Sequence, residues 1–276
     1  MTDLFGRADV DNQARRFEAS QVDFGLRTRV YTYFLGELRL SLAHREALRD
    51  RGVDSEQQIR DGYRSLDQES GYLACRKLVE YFGTDSLLSV PGFWEENGEV
   101  YPTIKEGLAV PVLGLRGEVR AVQVRIGGRN VKYATLSGGP GGSVGSPCHV
   151  PIGAVQAILD GRPWAVTEGP IKANIATDRW MPTVGLLGAL SFNPTFRLVD
   201  KRKPDKVVLA FDMDRYDKPG VLQAQDRLAA KLGDMGVDVS VAHWDDSFKG
   251  LDDALVAGQK ICYDGVSYPR LRGGTN

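Results

Sequence analysis

Cysteine is scarce in this chain of 276 residues: Cys75, Cys148 and Cys262 stand far apart, and none belongs to a Cys-x-x-Cys pair. Thiols spaced that way assemble neither a disulfide framework nor a zinc ribbon, so no zinc is expected. Long apolar runs are missing as well, and none approaches the roughly 18 to 20 residues that span a bilayer. The opening residues MTDLFGRADVDN lack the basic-then-apolar pattern of a secretion signal. These absences point to a cytoplasmic protein with no membrane partner. The formal net charge of -1 excludes a molecule coated all over in positive charge. The charges are nevertheless uneven: residues 101 to 150 hold six Lys/Arg against two Asp/Glu, enough for a local basic surface. An apolar share of 42% supports a core without covalent staples.

The first 40 residues are polar and Arg-rich with scattered aromatics, and read as an extended or partly helical lead-in without chemistry of its own. SLAHREALRDRG then has helical spacing with Gly52 as its stop, and Asp54 followed by Gln57 has the form of a capping box opening a second short helix. From Gly107 the period changes. LAVPVLGLRGEVRAVQVRIGG holds two strands joined at Arg116-Gly117-Glu118, and VKYATLS follows as a third, an antiparallel meander. SGGPGGSVGS, residues 137 to 146, reads as a loop whose backbone N–H groups could also cradle phosphate, although without Gly-Lys-Ser/Thr it is no Walker A loop. Cys148-His149 has no second pair at metal spacing and reads as structural.

After about residue 160 strands and helices alternate. PWAVTE, TVGLLG, KVVLAF and VDVSVAHW are the strands. Pro170 opens a helix after Gly169, another runs from Pro219 to Gly236, and Asp252 caps a last one, DDALVAGQ. The unbroken apolar run of KVVLAF is that of a strand buried on both faces. Such alternation means a mainly parallel four-stranded sheet with right-handed crossovers, an α/β domain within an α+β whole. The expected divisions are an extension over 1–40, an α+β basic subdomain over 41–158, the α/β domain over 159–262 and a tail over 263–276.

Ligands of open parallel sheets bind beyond the carboxyl ends of the strands. Glu168 ends one strand; Asp212 and Asp214 end another and, two apart, point the same way. Carboxylates that converge repel, so a cation between them is expected, and Mg²⁺ or Mn²⁺ suits hard oxygen donors with phosphate substrates. The alternative is that Glu168 caps its helix and the aspartates form a turn; Asp217, just before Lys218-Pro219, is read that way. Asp-x-Asp after a strand also suggests a haloacid-dehalogenase-type phosphatase, but Arg215-Tyr216 stands where that motif needs a threonine.

The Glu-Gly turn, Gly188 after the next strand, Asp-x-Asp after a third and KGLDDALV at the last helix together resemble the toprim fold of DnaG-type primases, topoisomerases and nucleases. Upstream, ALRDRGVDSEQQIRDGYRSL, the Arg-Gly turn of the meander and VKYATLS resemble the primase basic subdomain, so the likeness spans roughly residues 41 to 260. It implies a primase-like core, of the domain-of-unknown-function family found on mobile elements, that makes RNA primers from ribonucleoside triphosphates on single-stranded DNA. Glu168, Asp212 and Asp214 would then hold metal, with Asp252 an auxiliary acid of the catalytic set. Arg125 and Lys132, with Arg120, would face template or nucleotide phosphate, as would Lys172 near a helix N-terminus and Lys249 in KGLDDALV. Primases of this type carry a zinc module and a helicase-binding domain; neither is read here, which leaves a pared-down core with a replicative helicase as a candidate partner. A toprim nuclease and a non-catalytic module that binds nucleic acid or helicase are the alternatives.

Overall fold

The structure, a computed structural model, describes residues 23–127, 132–188, 191–213 and 219–265. In chain order its first elements are α1 (Phe24–Glu37), α2 (Leu42–Asp50), α3 (Ser55–Arg60), β1 (Arg64–Leu66), α4 (Gln68–Phe82), α5 (Thr84–Ser89), β2 (Phe93–Glu96), β3 (Glu99–Pro102), β4 (Gly107–Leu113), β5 (Val119–Arg125) and β6 (Tyr133–Thr135). There follow α6 (Val155–Leu159), β7 (Trp164–Glu168), α7 (Pro170–Arg179), β8 (Thr183–Leu186), α8 (Asn193–Arg202), β9 (Lys206–Leu209), α9 (Pro219–Asp234), β10 (Asp238–His243), α10 (Leu251–Val256) and β11 (Cys262–Gly265). They pack as two units. Of the described residues, the first takes those up to His44 with those of Gly62–Pro111 and Val119–Gly145; the second takes Arg45–Asp61, Val112–Glu118 and those from Ser146 onward.

In the first unit α1 is more than a lead-in. Val30, Tyr31, Phe34 and Leu35 fall on one helical stripe and are buried. Phe34 meets Phe93 edge-on at 5.5 Å, and the Tyr31 hydroxyl donates to the Pro91 carbonyl at 2.8 Å, so the ring's polar end is satisfied inside the core. The sheet order is β1-β4-β5-β6. The three strands read from the sequence are present, and β1 adds a fourth by pairing antiparallel with β4, Arg64 opposite Ala109.

Several N–H groups of the glycine-rich loop are spent internally. Gly138 N–H donates to Gly142 C=O, Gly142 N–H to Gly139 C=O, and Val144 N–H to the Ser137 hydroxyl, which leaves those donors engaged rather than presented to a phosphate. Two glycines are there for close approach: a Cβ on Gly139 (φ +70°) would lie 2.0 Å from the Phe93 carbonyl oxygen, and one on Gly141 would lie 2.3 Å from Val90 backbone. Gly139→Ala is therefore expected to cost about 1–3 kcal/mol, read as a lower urea midpoint at unchanged m-value.

The second unit is built on a sheet of order β11-β10-β9-β7-β8. The β10–β9, β9–β7 and β7–β8 pairs are parallel, as the apolar runs imply. The fifth strand, β11, is antiparallel to β10 and lies partly in the stretch expected to be tail; it is short and half polar, so its sequence has no alternation to reveal it. Side chains of alternate parity feed two cores. Trp164, Val166, Val207 and Leu209 pack with Ile158 of α6, Val199 of α8 and Leu228 and Leu232 of α9. Ala165, Val208 and Ala210 pack with Ala176 of α7 and Leu251 and Ala254 of α10. Both sheet faces are thus covered, which is why the strands read as continuous apolar runs.

Residues 45–61 join this second unit through polar contacts. The capping box of α3 forms as its spacing predicts, Gln57 N–H donating to Asp54 Oδ1 at 2.9 Å and Asp54 N–H to Gln57 Oε1 at 2.7 Å. From α3, Gln57 Nε2 and Arg60 both reach Asp178 of α7, at 2.7 and 2.6 Å, and Arg179 donates to the Gly52 carbonyl at 3.0 Å.

Candidate active site

The strand order fixes where the acids go. From β7 the chain crosses through α7 to β8 on one side; from β9 it crosses through α9 to β10 on the other. The two crossing helices pack on opposite faces of the sheet, which makes the carboxyl ends of β7 and β9 a topological switch point, the place where open α/β sheets bind their ligands. These two strands are neighbours, with Val166 opposite Leu209. They remain tied past that pair, because Ala210 N–H donates to the Val166 carbonyl and the Thr167 hydroxyl to the Ala210 carbonyl, each at 2.8 Å. Glu168, half-buried, is the last residue of β7, and Asp212 follows three residues after β9. Glu168 and Asp212 therefore stand at the same end of adjacent strands, and such strands lie about 4.8 Å apart in a sheet.

Asp212 already has a cation. The ammonium of Lys172, one turn into α7, is ion-paired with its Oδ1, and both side chains are largely buried. Lys172 is thus engaged with the acid rather than presented to a phosphate. Lys249 is exposed, and its carbonyl accepts from Met213 N–H at 2.9 Å, which ties the segment after β9 to the start of α10. Asp252, in the first turn of α10, is 2% exposed; its Oδ2 meets Arg51 at 2.5 Å and its Oδ1 has no hydrogen-bond partner among the described residues. Asp214 and Asp217 lie outside the described residues. Among the described residues no group of three His, Cys, Asp or Glu side chains is placed for a metal. The donors that are described fit a hard divalent cation in kind: they are carboxylate oxygens, and Asp212 already draws a positive charge.

The basic residues of the first unit fall into two groups. Arg125 is opposite Tyr133 in the β5–β6 pair, and Ile126 N–H donates to the Lys132 carbonyl at 3.0 Å, so the backbone segments that carry Arg125 and Lys132 are held side by side. Arg125 also lies close enough to His44 to add, after burial, to the lowering of its pKa. Arg120 is five positions earlier on β5, and strand alternation turns it to the opposite face, where its guanidinium lies over the Phe24 ring of α1 at 5.4 Å.

Two polar contacts were not read from sequence. Arg51 and Asp252 are 201 residues apart, and no local pattern links them. His149, 1% exposed, accepts from Leu113 N–H at Nδ1 (3.0 Å) and so donates from Nε2 to Asn174 Oδ1 (2.8 Å) on α7. Both ring nitrogens are used, which agrees with the structural reading of Cys148-His149. Burial pushes the His149 pKa down to about 4 from 6.5. The unfolded chain therefore takes up a proton at higher pH than the native one; stability from this group is complete above pH 6.5 and declines as pH falls toward 4. The expected loss is about 3 kcal/mol across that window, and His149→Gln should flatten that part of the stability–pH curve in urea titrations.

Comparison with known proteins adds the fold's relatives. Residues 156–261 match the model of a domain of unknown function, DUF3854. No curated protein sequence matches. Among solved structures, the Aquifex aeolicus primase (zinc-binding and RNA polymerase domains) is similar with a TM-score of 0.69 at 13% identity, over 92% of this chain and 67% of that one. The chain has the fold of a primase core. A DnaG primase catalytic domain bound to single-stranded DNA gives a TM-score of 0.64 at 17% identity, over 85% of this chain and 75% of that one. The RNA polymerase domain of Mycobacterium tuberculosis primase DnaG, in complex with double-stranded DNA, gives 0.59 at 18%, over 90% and 81%. In this primase-fold chain no helix among the described residues is long and apolar enough to cross a membrane.

Proposed function

We propose that the chain is a metal-dependent nucleotidyltransferase of primase type, whose toprim domain joins ribonucleotides on single-stranded DNA during replication of a mobile element, phage or plasmid. Support for the reading comes from the position of Glu168 and Asp212 at the same end of the adjacent strands β7 and β9, in a fold similar to primase cores; the two would face one switch-point crevice. Glu168, Asp212 and Asp214 are the residues to hold Mg²⁺ or Mn²⁺, which when bound lowers the pKa of a 3′-hydroxyl and neutralises a leaving pyrophosphate. Asp212 is held by Lys172, and the ammonium must yield or share that carboxylate when a metal enters. Asp252 is held by Arg51 and contributes a buried carboxylate to the same helix start to which Lys249 belongs. Arg125 and Lys132 are the groups for template phosphate.

Incorporation of labelled ribonucleotides on single-stranded DNA, with Mg²⁺ or Mn²⁺, tests this; template-dependent oligomers are expected. Shortened DNA in reactions without nucleotides would favour the nuclease instead. The Lys172–Asp212 pair favours one second reading, a non-catalytic nucleic-acid- or helicase-binding module in which the ammonium permanently takes the metal's place. In that case calorimetric metal titration shows no heat that depends on the acids.

A further inference from the structure

The first unit contains a cleft of about 640 Å³, where the chain leaving α1 and the strand β1 meet one face of α4. Its volume is that of a small-molecule site. All of its lining residues belong to the first unit, whereas Glu168 and Asp212 belong to the second. The polar groups along it divide into those already engaged and those that are not. Lys77 is paired with Glu37 at 2.5 Å, Asp67 caps α4 by accepting from Ser70 N–H at 2.8 Å, and the Ser65 hydroxyl lies 3.0 Å from that of Ser41 and 2.7 Å from His44 Nδ1. Arg39, Arg76 and Glu80 make no side-chain hydrogen bond or ion pair among the described residues. Two guanidinium forks and one carboxylate are thus left over. The backbone under both forks is fixed, since the Arg39 carbonyl accepts from Ser65 N–H at 2.9 Å and Arg76 stands within α4.

An open pair of rings adjoins the cleft. Tyr33 of α1 and Tyr81 of α4 have centroids 4.7 Å apart, the Tyr33 hydroxyl donates to that of Tyr81 at 3.2 Å, and Tyr81 is 68% exposed. The Tyr33–Tyr81 and Glu37–Lys77 pairs are four residues apart on each helix and in opposite directions, so the helices run antiparallel. The rings therefore lie one turn, about 6 Å, beyond the ion pair. Tyr81 extends the stripe of Ser70, Ala74 and Lys77 that walls the cleft.

An oxyanion suits the forks, because a guanidinium grips phosphate through two parallel N–H bonds. Glu80, one turn after Arg76, repels a bare anion but accepts from vicinal hydroxyls, as the acidic residue of dinucleotide sites does from ribose. An aromatic face one turn away takes a base. We propose that the cleft binds a free ribonucleoside phosphate, with its phosphate on Arg39 and Arg76, its ribose diol donating to Glu80 and its base on Tyr81. Charge selects a small ligand over a long strand, since Glu37, Asp67 and Glu80 line the same cleft and a polyanion would have to pass all three. The site goes beyond the primase reading and does not rest on it.

The measurement is calorimetric titration in the presence of a chelator, which keeps metal from the carboxylates of the second unit, with adenosine diphosphate, its 2′-deoxy analogue and inorganic phosphate as probes. Adenosine diphosphate is expected to bind about tenfold more tightly than the deoxy form, and phosphate more weakly than either. Arg39→Gln and Arg76→Gln should each lose about tenfold, and Arg76→Lys, which keeps the charge without the fork, should lose less. Glu80→Gln should erase the preference for the ribo form and leave phosphate binding no weaker. All three side chains are exposed, so melting temperatures should match wild type. Absence of heat with wild-type protein at millimolar nucleotide overturns the cleft and leaves the primase reading standing. Heat that both arginine variants retain and Asp212→Asn loses also overturns it, and moves the nucleotide to the acids of the second unit. Equal binding of ribo and deoxy forms overturns the ribose assignment. Tighter binding of a 5′-phosphorylated oligoribonucleotide, lost in the same variants, overturns the free-nucleotide assignment.

Discussion

Asp212→Asn is expected to reduce template-dependent ribonucleotide incorporation by about a thousandfold, since a preorganised charge that stabilises a phosphoryl-transfer transition state is worth several kcal/mol. The substitution keeps the shape of the side chain and removes its charge, so melting temperature is the control that separates lost chemistry from lost fold. Lys172→Gln should act in the opposite sense on metal: with the ammonium gone from Asp212, calorimetric titration with Mn²⁺ should show tighter binding. Full incorporation by Asp212→Asn would remove the crevice from consideration as the active site. An incorporation defect in Asp212→Asn with unchanged Mn²⁺ affinity would instead assign the carboxylate to positioning Lys172.

Arg51→Ala is expected to lower the unfolding free energy by about 3 kcal/mol, because it leaves the carboxylate of Asp252 buried without its cation. Asp252 is 2% exposed, and one of its oxygens lacks a hydrogen-bond partner among the described residues, so few hydrogen bonds there can absorb the loss. The double variant Arg51→Ala with Asp252→Asn should recover much of the deficit, a non-additivity that urea denaturation can read directly. Additive losses would mean that Arg51 stabilises through packing of its aliphatic stem instead.

The parts of the molecule that the sequence makes legible are those with a local period. KVVLAF and WAVTE are buried on both faces and read as parallel strands, while Asp54 and Gln57 carry their capping geometry in a three-residue spacing. The α1 stripe was within reach: Val30, Tyr31, Phe34 and Leu35 have helical spacing, but the surrounding arginines gave the segment a polar average. Strand β11 was not within reach, because four residues ending in Asp-Gly pair through backbone groups that any sequence supplies.

The sequence alone determined that acidic residues stand at the ends of strands and basic residues on a meander, since both follow from composition and a period of two. Only the tertiary structure decided which charges meet. The placement of β7 beside β9 puts the ends of the strands that carry Glu168 and Asp212 side by side, and α7 packed on that sheet brings Lys172 to Asp212. Parity along β5 sends Arg120 to Phe24 and Arg27, away from Arg125. Arg51 finds Asp252 across 201 residues. Long-range partners of this kind are set by strand order and helix packing, which no single stretch of chain encodes, and that is why the acids could be named in advance but their partners could not.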